Sequence, residues 1–153
     1  MPTHSVCKIW LHLIWGTRRR IPYLTGDAAK VVRTLLTQHA KELGLNIRTV
    51  YVNADHVHML IRWYPDTSLS DAIGKLKGRS SRIISRDRIA SADFRWAVGY
   101  GAFSVSSWDV DHISGYIDGQ EAHHRRKPLA EMIEDLLREI ETEGDDTDGS
   151  SPG

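Results

Sequence analysis

Cys7 is the only cysteine among 153 residues. A disulfide framework and a thiolate zinc cluster are therefore both excluded within one chain. No run of about 18 apolar residues occurs, so no membrane span is expected. No secretory leader pattern is seen either, and the expectation is a soluble, cytoplasmic protein with no membrane partner. A GxxxxGK[ST] phosphate loop is missing, which argues against chemistry driven by a nucleotide. No internal repeat is visible, and the length suits a single domain.

Net charge is also lacking, but the zero is a sum of two unlike halves. Residues 1–130 carry 19 Lys/Arg against 11 Asp/Glu, a net of +8, and residues 131–153 carry one against nine, a net of −8. A basic body with an acidic tail fits a polyanion-binding protein, although charge alone fits a solvated surface as well. The expected division is a domain over 1–142 and a polar, acidic, disordered tail over 143–153.

Periodicity outlines the elements. Residues 5–16 are rich in β-branched and aromatic side chains and read as a first strand. Arg18, Arg19 and Arg20 follow as a basic loop. A helix starts at Thr25-Gly26-Asp27, with Val31, Val32, Leu35, Leu36 and Leu43 as its apolar stripe and Gly44 as its stop. Residues 46–53 and 56–63 read as two strands joined tightly at Ala54-Asp55. A second helix runs from Ser68 to about Arg86, with Leu69, Ile73, Leu76 and Ile83 facing inward. Arg95 to Ser106 reads as a strand pair or one interrupted strand, with Gly99 and Gly101 as possible bulges. Helices over about 109–124 and from Pro128 to about Glu141 complete the chain. The order β-α-β-β-α-β implies an α+β fold. It is a ferredoxin-like antiparallel sheet with helices on one face, plus C-terminal helices, leaving the second face open.

The segment Asp55-His56-Val57-His58-Met59-Leu60-Ile61 carries the most specific chemistry. Side chains alternate along a strand, so His56 and His58 share a face while Val57, Met59 and Ile61 take the other. Two imidazoles side by side are half of a divalent metal site, or equally a hydrogen-bonded pair without a ligand. With substrate oxygens completing the shell, magnesium or manganese suits such a site. Downstream, His112, Tyr116 and Gln120 line up at helical spacing beside Val110, Ile113 and Ile117. Tyr116 is either half-buried core filler or a nucleophile, and Gln120 either a surface residue or a neutral oxygen ligand one turn away. Gly115 and Gly119 each weaken that helix by about 1 kcal/mol relative to alanine.

The remaining cations group as Arg18, Arg19 and Arg20; Lys75, Lys77, Arg79, Arg82 and Arg86; and Arg125 and Arg126 with their neighbours. Lys75, Arg79, Arg82 and Arg86 recur at helical spacing and form a candidate phosphate-binding stripe. The five tryptophans are core residues, with one or two at most free to stack on unpaired bases.

With these segments assembled, the chain resembles the single-tyrosine transposases of the HUH class, the small transposases of the simplest bacterial insertion sequences and their palindrome-associated relatives. The likeness rests on Ala54-Asp55-His56-Val57-His58-Met59-Leu60, on Leu76 to Arg82, on Gly99 to Ser106 and on Tyr116 to Arg126, in that order, over about residues 5–130. It implies a DNA transposase that cleaves and rejoins single-stranded, hairpin-bearing element ends through a 5′-phosphotyrosine. His56, His58 and Gln120 would hold Mg2+ or Mn2+, Tyr116 would be the nucleophile, and a homodimer would be the working form. Asp118-Gly119 departs from the family, where an asparagine commonly precedes the glutamine. The acidic tail is not part of the shared pattern.

Three other readings compete. A domesticated palindrome-processing nuclease would share the chemistry. A non-catalytic ferredoxin-like nucleic-acid module would need an RNP-like aromatic pattern, which Gly99 to Val105 echoes only in part because the leading cation is missing. A metal-dependent hydrolase would use water and form no covalent product.

Overall fold

The computed structural model describes residues 5–119, 135 and 137–140. Four strands form one antiparallel sheet: β1 (Ile9–Gly16), β2 (Asn46–Val52), β3 (His56–Trp63) and β4 (Gly101–Val105), in the order β2-β3-β1-β4. Helix α1 (Asp27–Glu42) joins β1 to β2, and α2 (Leu69–Arg86) joins β3 to β4. Helix α3 (Val110–Asp118) follows β4 after a single 3-10 turn. This is the expected ferredoxin-like split unit.

The two sheet faces differ in what they bury. Leu13, Trp15, Val57, Met59 and Ile61 point toward α1 and α2 and meet Val32, Leu36, Ala40, Ala72, Ile73, Leu76 and Ile84. These side chains form the main core, and their burial supplies most of the driving force for folding. The opposite face, expected to be open, is covered in part by α3. There Ile14 and Leu60 pack with Val110, Tyr116, Ile117 and Leu137. An apolar pair in mid-strand on the second face calls for a second layer, and the Val110/Ile117 stripe supplies it.

Local sequence accounts for the ends. Ser68 caps α2 by accepting a hydrogen bond from the Asp71 amide, as a serine at that position should. Gly44, at φ +78°, turns the chain out of α1. Inside α2 the buried position is Ile84, while Ile83 is only half-buried. The stretch 95–100 is not a strand, since only an isolated bridge joins Trp96 to Thr17. Of the expected last helix, residues 135 and 137–140 are helical. The expected tail over 143–153 lies outside the described residues, as does the end of the helix expected to reach His124.

Candidate active site

β1 and β3 lie side by side with Ile14 opposite His58 and His12 opposite Leu60. Strand alternation therefore places His12, Ile14, His56, His58 and Leu60 on one face, the face that α3 covers. The chain reaches β3 through a tight turn in which the Asn53 amide donates to the His56 carbonyl at 2.8 Å. The loop after β1 grips that turn, since the Thr17 amide donates to the Asp55 carbonyl and the Leu24 amide to the Ala54 carbonyl. The position of His56 is thus set by backbone on both sides.

The side chains continue this order. Arg20 forms an ion pair with Asp55 Oδ2 at 3.0 Å, and Asp55 Oδ1 lies 2.7 Å from His56 Nδ1. His56 Nε2 and His58 Nε2 are 3.1 Å apart, and His58 Nδ1 is 2.9 Å from His12 Nε2. Asn53 also donates to His56 Nε2 at 3.1 Å. A five-residue chain runs Arg20–Asp55–His56–His58–His12. At its midpoint two imidazole nitrogens face one another, and behind each stands a partner for the other ring nitrogen.

The spacing fits an ion. Two donors about 2.1 Å from one cation, at about a right angle, stand about 3 Å apart. Ligating imidazoles also use the second nitrogen to bond a carboxylate or another acceptor, which fixes the ring. Burial pushes the His58 imidazole well below its ordinary pKa, and the neighbouring His56 and His12 add to this. Burial alone lowers His12 to about 4. Both rings are therefore neutral at neutral pH, the state in which a lone pair is available. The hydrogen bond from His56 holds the Asp55 carboxyl below the usual range against the opposing effect of burial, and Arg20 helps. Among the described residues no three His, Cys, Asp or Glu side chains converge as a metal-holding group. The pair is half a site, and a third donor is needed. Gln120, expected to be that donor, lies outside the described residues.

Tyr116 stands on the same sheet face, on α3, only 5 % exposed among Ile14, Leu60, Ile117 and Leu137. Ile14 lies opposite His58, and Leu60 lies two residues beyond it. Tyr116 and the paired histidines therefore lie on the same side of the sheet. The helix is anchored to β2 by Arg48–Asp111 at 3.0 Å and by a hydrogen bond from the Thr49 hydroxyl to Asp118.

The expected cations separate into groups. Arg18 and Arg19 are exposed in the loop beside Asp55, and with Arg95 and Tyr23 they line a surface cleft of about 280 Å³. Arg95 carries no periodic signal in the sequence; its place is set by the Arg18 amide bonding its carbonyl. Arg20 is engaged by Asp55 rather than turned to solvent. Arg19 and Arg20 both have left-handed backbone, at φ 56° and 55°, a conformation costly for side chains of this size.

The α2 stripe lies in the helical layer behind the sheet, away from the histidine face. Lys75, Arg82 and Arg86 are exposed there, Arg79 is half-buried, and Arg86 pairs with Asp87. Lys77 is a correction to the expected phosphate contacts. Its ammonium donates to the carbonyls of Ala97 at 2.7 Å and Gly99 at 2.8 Å, and burial lowers it to about 8. Arg125 and Arg126 lie outside the described residues. Of the tryptophans, Trp15 and Trp96 are core, whereas Trp108 is 85 % exposed.

His12 and Asp55 are the site residues that periodicity does not single out. The signal for His12 is its even spacing with Trp10 and Ile14 in β1, a polar residue inside an apolar strand.

No helix among the described residues is long and apolar enough to cross a membrane. Curated relatives match about three quarters of the chain. The ISDra2 transposase TnpA of Deinococcus radiodurans is 29 % identical over 121 residues, covering 75 % of this chain and 86 % of the relative. The transposase for insertion sequence element IS200 of Salmonella typhimurium is 27 % identical over 120 residues, 74 % of this chain and 76 % of the relative. A solved transposase structure from Deinococcus radiodurans superposes with a TM-score of 0.61 at 28 % identity, over 78 % of this chain and 96 % of that one. A REP-associated tyrosine transposase bound to a REP hairpin shares the fold, with a TM-score of 0.59 at 13 % identity over 82 % of this chain and 73 % of that one. The family model for IS200-like transposases matches residues 5–120. With the ferredoxin-like sheet, the paired histidines and this match in agreement, the chain belongs to the IS200-like transposase family.

Proposed function

We propose that this transposase cuts and rejoins single-stranded DNA at hairpin-bearing element ends through a 5′-phosphotyrosine on Tyr116. It would work as a homodimer, with Mg2+ or Mn2+ held by His56, His58 and Gln120. The observation that carries this reading is the His56/His58 pair, with Nε2 atoms 3.1 Å apart on the sheet face that also carries Tyr116.

His56, His58 and Gln120 would hold the ion, which would supply Lewis acidity to the scissile phosphate. Tyr116 carries the covalent step. Its phenol oxygen forms a bond to phosphorus, the bond from phosphorus to the 3′ oxygen breaks, and the phenol proton passes to the departing oxygen directly or through water. The products are a 5′-phosphotyrosine and a free 3′-hydroxyl. Because a phosphoester is kept, attack by the 3′-hydroxyl of a second strand reverses the step and joins new ends. No nucleotide is consumed, in keeping with the missing phosphate loop.

A phenol has an ordinary pKa of about 10 and is a weak nucleophile while protonated. Tyr116 is also buried, so α3 must shift before attack, either within its own subunit or toward the partner's histidines. Gly115, exposed in the middle of that helix, lowers the cost of such a shift. Arg18, Arg19 and Arg95 beside the Asp55 turn are placed to hold DNA phosphates. The hairpin bound by the REP-associated relative supports a hairpin as the ligand here.

The test is to incubate the full chain with hairpin-bearing single-stranded DNA and Mn2+. A protein–DNA adduct stable to denaturant is expected. Tyr116→Phe should bind the DNA and form no adduct; an undiminished adduct in that variant would overturn the assignment. His56→Ala should lose metal affinity and cleavage together.

A further inference from the structure

His56 and His58 are held by different partners. Behind His56 stands a carboxylate, which can only accept, so His56 Nδ1 carries its proton and Nε2 keeps its lone pair. Behind His58 stands another imidazole, which can donate or accept. For His58 Nε2 to ligate an ion, the one proton of its neutral ring must sit on Nδ1. That proton then needs an acceptor, and His12 Nε2 is 2.9 Å away.

His12 is built into this place. It is 7 % exposed in mid-β1, its ring stacked on His58 with centroids 5.2 Å apart and an interplanar angle of 28°. Phe103 of β4 closes the other side, edge-on at 6.5 Å. Water cannot readily replace a group so enclosed. His12 faces His58 Nδ1, whereas His56 faces His58 Nε2, so His12 stands on the side of the His58 ring away from the Nε2 pair.

We propose that His12 is a positioning residue that accepts the Nδ1 proton of His58 and so fixes the tautomer whose Nε2 lone pair faces the ion, as Asp55 does for His56. In the ion-free chain a proton between the two Nε2 atoms removes their repulsion. His58 then donates to His56 through Nε2 and accepts from His12 through Nδ1. With an ion held at the Nε2 pair, His58 would give up its Nε2 proton to solvent and take the His12 Nε2 proton on Nδ1, while His12 takes one solvent proton on its own Nδ1; the His12–His58 hydrogen bond reverses, each ring stays neutral and no net proton is released. An imidazole can serve in both states because either of its nitrogens can carry the proton, whereas a carboxylate could only accept. The inference rests on His56 and His58 as metal ligands.

The test uses the full chain with Mn2+ alone, its binding followed by electron paramagnetic resonance, and with diamagnetic Mg2+ for nitrogen-15 NMR of the histidine rings. His12→Leu, which offers no acceptor, should weaken Mn2+ binding about 10- to 100-fold, the usual cost of losing such a partner. His12→Gln, whose amide oxygen can accept, should recover most of that loss. In Mg2+-loaded wild type, His58 should show a protonated Nδ1 and a bare Nε2. Wild-type Mn2+ affinity in a folded His12→Leu, or a protonated His58 Nε2 in the Mg2+-loaded chain, overturns the role of His12. Should His12→Leu fail to fold, the NMR measurement on the wild type decides alone. Absence of Mn2+ binding by the wild type, or binding unchanged in His56→Ala, overturns the metal reading and this inference with it.

Discussion

Asp55 Oδ1 lies 2.7 Å from His56 Nδ1, while its other oxygen lies 3.0 Å from Arg20. One carboxylate thus aims a candidate ligand and also holds a loop of left-handed arginines. All three side chains are less than a third exposed, so the charges are only partly screened. Asp55→Ala should therefore cost about 1–3 kcal/mol of unfolding free energy, because it removes the carboxylate that both Arg20 and His56 Nδ1 bond. Adding Arg20→Met to Asp55→Ala should cost less than the two single losses combined, since both changes remove the same ion pair. Additive losses in urea unfolding would show that the pair is not coupled.

Lys77 and Arg18 are both cations in a nucleic-acid-binding chain, but the structure assigns them different work. Lys77 ties α2 to the 97–99 segment, whereas Arg18 projects into solvent beside the histidine turn. Arg18→Ala should make the salt dependence of single-stranded DNA binding shallower by about 0.7 in log–log slope, the loss of one phosphate contact. Lys77→Met should leave that slope unchanged and lower stability by about 1–3 kcal/mol, because two carbonyls lose their donor. Anisotropy titrations over a salt series separate the two, and equal slopes for both variants would refute the division.

The same lysine carries a pH signature. Its folded pKa of about 8 is below its ordinary value of 10.5. Between these values the unfolded chain keeps a proton that the folded chain has released, so stability rises with pH across that window. The contribution is fully present above the unfolded pKa and is lost as pH falls through about 8. Measured as the difference between wild type and Lys77→Met, the relative stability of wild type should grow from pH 8 to pH 10.5. A flat difference would mean that Lys77 titrates as a solvated amine.

The sheet is legible in the sequence because its signals are local. Alternation in β1 and β3 sorts His56 and His58 from Val57 and Met59 without any knowledge of neighbours. Ser68 marks the start of α2 in the same way. What alternation cannot show is which strand lies beside which, and His12 acquires meaning only once β1 pairs with β3 in register. Lys77 departs from expectation for a related reason. Its place in the chain groups it with the α2 cations, but the carbonyls it bonds belong to a loop some twenty residues on. Those two bonds fasten the 97–99 segment to α2, and 95–100 runs as a loop with a single bridge to Thr17. The burial of Tyr116 follows from α3 packing on the second sheet face, a contact that depends on Ile14 and Leu60 rather than on anything in the helix alone.

Gly99 and Gly115 give opposite expectations for one substitution. Gly99 has φ +88°, and a Cβ there would stand 3.0 Å from the Ile140 Cγ2. Gly99→Ala combines a left-handed backbone with a tight contact, and it also strains the carbonyl that Lys77 bonds. A loss of about 1–3 kcal/mol is expected. Gly115 sits at ordinary helical φ, and a Cβ added there would meet nothing within 4 Å, so Gly115→Ala should add up to about 1 kcal/mol by helix propensity alone. If α3 must shift for Tyr116 to reach DNA, the stabler helix should also form the covalent adduct more slowly while binding DNA as before. Thermal unfolding reads the first effect and the adduct time course the second. A stabilised Gly115→Ala with an unchanged adduct rate would mean that Tyr116 reaches the phosphate without any rearrangement of its helix.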